Sequence, residues 1–174
     1  MNHVRRLTIV VVALLTLVGA STQLAVANAQ VPFRAEMQES CPGCPLPYLC
    51  GPTLLCIETA GNGQATHLGQ ASESGQVVVD LASQPGPTPD YHTNTRTVTF
   101  TAANGDQLTL ALSGISHDTG ATSGVTGISN DTWVVSSGTG RFSGATGQGT
   151  DTTYIYAVEG RSRTVFSGTL SLAH

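Results

Sequence analysis

Residues 138–149 read GTGRFSGATGQG, with glycines at positions 138, 140, 144, 147 and 149. Two large side chains, Arg141 and Phe142, stand next to each other among these glycines. Glycine adopts positive φ angles and lets backbones approach closely at little steric cost. We therefore interpret the stretch as a tight turn between two strands, and not as a flexible linker. Phe142 is expected to point inward, and Arg141 is expected at a rim or in solvent.

Strand signals surround this turn from Leu54 onward, and turn residues interrupt them every eight to fifteen residues. The dipeptide Asn104-Gly105 lies between two alternating runs, which is a strong hairpin signal. Further turns are expected at Gly61-Asn62-Gly63 and at Glu73-Ser74-Gly75. Eight strands are predicted, in the runs 54–60, 64–72, 76–82, 96–102, 107–115, 125–137, 150–160 and 161–173. Their number and spacing predict an all-β fold, an eight-stranded antiparallel barrel of the calycin-like kind, with a β-sandwich as the alternative.

The first 29 residues have the pattern of a secretory signal peptide. Two arginines precede an apolar run from Leu7 to Ala20, and two Ala-x-Ala sites follow before residue 30. An uncleaved anchor is the less favoured alternative, because no charged stop-transfer cluster follows the run. We expect an exported chain without stable membrane insertion after cleavage. The predicted division is a signal peptide at 1–29, a Cys/Pro-rich lead-in at 30–53 and a β-barrel domain at 54–174.

Four cysteines lie close together, Cys41, Cys44, Cys50 and Cys56, in the run CPGCPLPYLCGPTLLC. In an exported chain this pattern predicts two disulfides, and all three pairings remain open. A thiol-redox motif and a zinc site are the weaker alternatives. The first lacks its usual strand-to-helix context, and the second needs thiolates that an oxidising compartment disfavours.

The charge of the predicted mature chain argues against two classes of partner. It has five arginines, no lysine and eleven acidic residues, which gives a formal charge of −6. Nucleic acids and anionic membranes both bind clustered positive charge, so neither is expected as a partner. The sequence does not predict an oligomeric state.

Residues 138–147, GTGRFSGATG, resemble the G-T-G-[KR]-F-x-G-A-x-G signature of plant dirigent proteins. Dirigent proteins belong with the allene oxide cyclases in a superfamily of eight-stranded antiparallel barrels. Residues 63–75, GQATHLGQASESG, are similar to a group of small secreted bacterial proteins that share this barrel. The resemblance covers the layout from Leu54 to Leu172 and is specific over about ten residues. It implies a barrel whose interior binds a small, largely apolar molecule, as related barrels do when they guide cyclisation or coupling.

No catalytic residue stands out, and no metal site or cofactor is predicted. Asp80 and Glu159 end predicted strands, where a carboxylate usually caps a turn. His67, His92 and His117 are isolated in different elements and lack ligand spacing. If the interior holds a ligand, the candidate binding residues are Phe100, Trp133, Phe142, Tyr154 and Tyr156. The same aromatic residues, with Phe166 and the Leu108–Leu112 face, could instead fill the interior and leave a non-catalytic extracellular structural or interaction module.

Overall fold

A computed structural model describes residues 29–40, 47–86 and 91–173. These residues form an all-β structure with only two single turns of 3-10 helix, Gly140–Phe142 and Ala157–Glu159. Within them, no helix has the length and apolar character needed to cross a membrane. The strands are β1 (Gln30–Glu39), β2 (Tyr48–Leu49), β3 (Leu54–Ala65), β4 (Gly69–Asp80), β5 (Tyr91–Ala102), β6 (Gln107–Asp118), β7 (Gly127–Gly138), β8 (Thr146–Tyr156) and β9 (Arg161–Ser171).

Eight of these strands close into an antiparallel barrel. Strands β3 to β9 pair in sequence order, each with the next. β1 closes the barrel, because it pairs with β9 along its whole length and with β3 from Ala35 to Glu39. The two-residue strand β2 adds to the outer edge of β3. The predicted eight-stranded antiparallel barrel is therefore confirmed.

The barrel begins at Gln30 and not at Leu54, which corrects the predicted boundary of the lead-in. The run 54–82, predicted as three strands, contains only β3 and β4. Gly61 and Gly63 were expected to form a turn, but they lie inside β3 opposite β1. A Cβ atom at Gly63 would collide with the carbonyl oxygen of Glu36, so this glycine permits close strand approach. The chain turns later, at His67, whose φ is +67°.

The glycine-rich stretch forms the predicted turn between β7 and β8. Gly140, with φ +56°, opens the 3-10 turn, and Gly144 leaves it with φ +72°. Phe142 is fully buried, and Arg141 lies at the rim, where its Nε is 3.3 Å from Oδ2 of Asp106. The expected placement of both side chains is confirmed. Gly105 in the predicted hairpin turn also has a positive φ, +87°.

An apolar core fills the end of the barrel beside this turn. Phe33 packs edge-to-face against Phe100 and Trp133, at ring-centroid distances of 6.0 and 5.4 Å. Phe100 contacts Phe166 in the same way at 5.1 Å. The largest other core side chains, all fully buried, are Met37, Val98, Leu108, Leu110, Phe142 and Leu170. This half of the interior is therefore closed by its own side chains.

Cys50 and Cys56 form a disulfide with a Cα–Cα distance of 5.8 Å. The bond ties the chain just after β2 to β3, with which β2 pairs. One of the two predicted disulfides is thus present, and its pairing is settled. Cys41 and Cys44 lie outside the described residues. The disulfide is compatible with an extracytoplasmic location.

Candidate ligand-binding site

The other end of the barrel contains a partly open cavity of about 530 Å³. It lies where β5 begins and where β8 ends, so it is opposite the apolar core. Its walls include four apolar side chains, Ile57, Val77, Val79 and Ile155. Polar side chains lie deeper, and we call the buried set Glu39, Glu73, Asn94, Arg96, Ser129, Asp131, Asp151, Thr153 and Thr164 the polar floor. The volume is within the range of natural small-molecule sites.

In each strand, every second side chain points into the barrel, and these inward side chains form both the apolar core and the polar floor. In β5, Asn94 and Arg96 point to the same side as Val98 and Phe100, and all four are buried. In β7, Asp131 is two residues from Trp133, and both are buried. Since alternate side chains share one face of a strand, each strand contributes polar groups at one end and apolar groups at the other.

Arg96 is the centre of the polar floor. Its Nη2 donates to Oε1 of Glu39 at 2.6 Å and to Oε1 of Glu73 at 2.5 Å. Its Nη1 donates at 3.3 and 3.4 Å to the hydroxyls of Thr153 and Thr164. All of these side chains are buried. Removing one partner of such a pair would leave an uncompensated charge inside the barrel.

The two carboxyls beside Arg96 differ in protonation. Burial raises the pKa of Glu73 to about 8, and the Arg96 charge offsets only part of this effect. Burial also opposes ionisation of Glu39, but the Arg96 charge and hydrogen bonds from Thr164, Arg96 and Ser162 lower its pKa below the ordinary value. Glu39 is therefore the ionised partner of Arg96 at neutral pH, and Glu73 is mostly protonated.

A second cluster of polar groups lies on β5, β7 and β8. Nδ2 of Asn94 donates to Oγ of Ser129 at 2.8 Å, and this hydroxyl lies 3.2 Å from both carboxylate oxygens of Asp131. Burial raises the pKa of Asp131, although hydrogen bonds from Ser129 and Asn94 oppose the shift. Burial and the nearby Asp131 raise the pKa of Asp151 to about 7.

Several buried polar atoms of this region have no hydrogen-bond partner among the described residues. They are Oγ1 of Thr59, Oε2 of Glu73, Oδ1 of Asn94, Nε of Arg96 and Oδ1 of Asp151. Thr59, Asn94 and Arg96 also line the cavity. A buried polar atom without a partner costs about 1–3 kcal/mol. These atoms therefore give the cavity and its floor unused capacity to form hydrogen bonds with a polar group.

The five candidate binding residues predicted from the sequence lie outside this cavity. Phe100, Trp133 and Phe142 are buried in the apolar core. Tyr154 and Tyr156 alternate with the inward residues Thr153 and Ile155, so they face outward, and the Arg161 guanidinium stacks on the Tyr156 ring at 3.9 Å. Within the part of the chain that the structure describes, none of the five lines the cavity.

The carboxylates and histidines weighed in the sequence also lie outside the floor. Oδ1 of Asp80 accepts from the backbone N–H of Ala82 at 3.0 Å, which is the expected turn-capping role. Glu159 pairs with Arg161 at 2.6 Å on the surface. The histidines contact three different partners, namely the Pro32 carbonyl for His67, the Ser83 carbonyl for His92 and the Tyr91 ring for His117.

No family model, curated protein or solved structure matches this chain. The site is therefore interpreted from its own geometry. The inward position of Arg96 could have been predicted from the sequence, because the alternation that places Val98 and Phe100 inward also places Arg96 inward. The same argument applies to Asp131, two residues before Trp133.

Proposed function

We propose that this chain is an exported barrel that binds a small, largely apolar molecule in the cavity opposite the apolar core. The observation that carries the proposal is a cavity of about 530 Å³ with apolar walls above a buried polar floor. Natural ligand sites combine such walls with a few polar groups that orient the ligand. In this proposal the ligand contacts the apolar walls and the polar floor, and not the five aromatic residues predicted from the sequence.

Placement in the dirigent and allene oxide cyclase superfamily is part of the proposal. Two features support it: the closed eight-stranded antiparallel barrel and the position of the GTGRFSGATG motif in the turn between β7 and β8. Export is proposed from the signal-peptide pattern, and the Cys50–Cys56 disulfide is consistent with an oxidising compartment.

Guidance of cyclisation or coupling is a second function that one observation favours. Asp131 lines the cavity, and burial raises its pKa, so this carboxyl holds a proton more readily than an exposed aspartate. Acid or base assistance to a reactive ligand requires such a group within reach. Once a ligand is known, Asp131→Asn should lower the yield or stereoselectivity of its conversion, measured with the protein saturated with ligand. Unchanged conversion would limit the function to binding.

The binding function can be tested by mass spectrometry of protein purified from its own secretion route. We expect a stoichiometric apolar molecule under native conditions that is released on denaturation. Val77→Phe should abolish this retention, because Val77 lines the cavity. Val78→Phe is the matched control, since the neighbouring side chain points to the outer face of β4. Absence of any retained molecule, and of any uptake of small apolar probes, would favour the structural module instead.

A further inference from the structure

Carboxyl groups outnumber cations at the cavity floor. Glu39, Glu73, Asp131 and Asp151 come from β1, β4, β7 and β8, whereas Arg96 is the only cation of the polar floor. The charge of Arg96 is balanced by Glu39, with which it forms a direct ion pair. Ionisation of Asp131 or Asp151 therefore leaves a net negative charge inside the barrel.

Charges at the cavity mouth do not reverse this sign. Arg161 lines the mouth, but its guanidinium is paired with Glu159 at 2.6 Å. Glu58 borders the cavity, but its side chain accepts a hydrogen bond at 2.7 Å from Gln76, which neighbours Val77 and points to the outer face of β4. Neither side chain therefore adds an unpaired positive charge to the path of a ligand.

The unused hydrogen-bonding capacity at the cavity consists mainly of acceptors. Oδ1 of Asn94 can only accept, and Asn94 is 4% exposed and lines the cavity. Oγ1 of Thr59 accepts or donates, and the carboxylate of Asp131 has lone pairs beyond those used by Ser129. Besides the Thr59 hydroxyl, the unused donor that lines the cavity is Nε of Arg96, since the protonated carboxyl of Glu73 does not line it. A polar group with several donors fits this arrangement better than one with only acceptors.

We propose that the preferred ligand has an apolar body and a protonated amine, and that Asp131 and Asn94 bind the ammonium group. This inference rests on the proposed ligand-binding function and names its ligand class. The ammonium supplies donors to Oδ1 of Asn94 and to the Asp131 carboxylate, and its charge offsets the excess of carboxylates. The apolar body lies against Ile57, Val77 and Ile155.

The same geometry disfavours a carboxylate ligand of equal size. Its charge would lie beside Asp131, and its oxygens could not donate to Oδ1 of Asn94. An alcohol can donate one hydrogen bond but carries no charge. Hydrogen bonds to charged groups are stronger than hydrogen bonds between neutral groups. We therefore expect the order of affinity to be amine, then alcohol, then carboxylate.

The test compares three probes with the same aromatic body, 2-phenylethylamine, 2-phenylethanol and phenylacetate. Binding to the purified chain with its Cys50–Cys56 disulfide intact is measured by calorimetry at about pH 8, well above the ordinary pKa of an aspartate, because burial raises the pKa of Asp131. The amine should bind about tenfold or more tightly than the alcohol, and the carboxylate most weakly. Asp131→Asn should remove the preference for the amine over the alcohol. Asp106→Asn, at the opposite rim, should leave all three affinities unchanged.

The outcomes separate this inference from the function on which it rests. If the alcohol binds as tightly as the amine, or the carboxylate binds best, the amine preference is overturned and the binding function stands. If none of the probes binds and native mass spectrometry finds no retained molecule, both are overturned. The comparison among probes uses the wild-type chain, so the inference remains testable even if Asp131→Asn does not fold.

Discussion

The two halves of the barrel interior are built from the same strands and by the same alternation, but they contain different chemistry. Around Phe100 and Trp133 the interior is apolar and fully packed. Around Arg96 it is polar, and it opens into a cavity of about 530 Å³. Packed apolar side chains stabilise a fold, whereas buried polar groups with unused bonding capacity are typical of binding sites. The comparison indicates that one half maintains the barrel and the other half can be adapted to a ligand.

The largest loss of stability is expected when the cation of the buried Arg96 ion pair is removed. Arg96→Met should lower the free energy of unfolding by about 3–5 kcal/mol, because Glu39 would be left charged and buried without its cation. Arg141→Met is the matched control at the opposite rim, where the side chain is 48% exposed and pairs with Asp106. Its loss should cost about 0–1 kcal/mol. Urea unfolding of both variants measures the difference, and equal losses would mean that the Arg96 cluster contributes no more than a surface pair.

The next largest loss of stability is expected when an apolar side chain is shortened, and it should differ between the two halves of the interior. Leu110→Ala should cost about 3 kcal/mol, because Leu110 is fully buried in the apolar core and its removal creates a cavity. Ile155→Ala should cost only about 1 kcal/mol, because Ile155 borders space that is already open. Thermal or urea unfolding compares the two. A loss at Ile155 as large as that at Leu110 would indicate that the cavity end is as tightly packed as the core.

Much of the fold could be predicted from the sequence, and the errors have identifiable causes. The predicted runs from Arg96 onward correspond to β5 to β9. β1 was not predicted, because the short alternating run of Phe33, Ala35 and Met37 was assigned to the Cys/Pro-rich lead-in. Gly61 and Gly63 were interpreted as a turn, whereas they allow β1 to approach β3. The same residue type serves turns and close contacts, and the sequence alone does not separate the two.

The candidate site was less predictable than the fold. Aromatic residues were expected to line a ligand cavity, but whether they line it or fill it depends on packing in three dimensions. The floor unites Glu39, Glu73 and Arg96 from three strands, and Glu39 lies 57 positions from Arg96. Strand alternation identifies the inward position of Arg96. It does not show which strand supplies the partner, because that depends on barrel closure by β1.

Measured per pH unit, the smallest effect is expected in the pH dependence of the polar half. Burial raises the pKa of Glu73 from an ordinary value of 4.5 to about 8, so folding takes up a proton between these values. Wild-type stability should therefore fall, relative to Glu73→Gln, as the pH rises from about 5 to about 8, with a slope of at most about 1.4 kcal/mol per pH unit. Glu36→Gln is the control, because Arg163 lowers the pKa of this surface carboxyl and it is ionised throughout the range. Parallel stability profiles for wild type and Glu73→Gln would mean that Glu73 is already ionised beside Arg96, and that the floor holds one more negative charge than its geometry indicates.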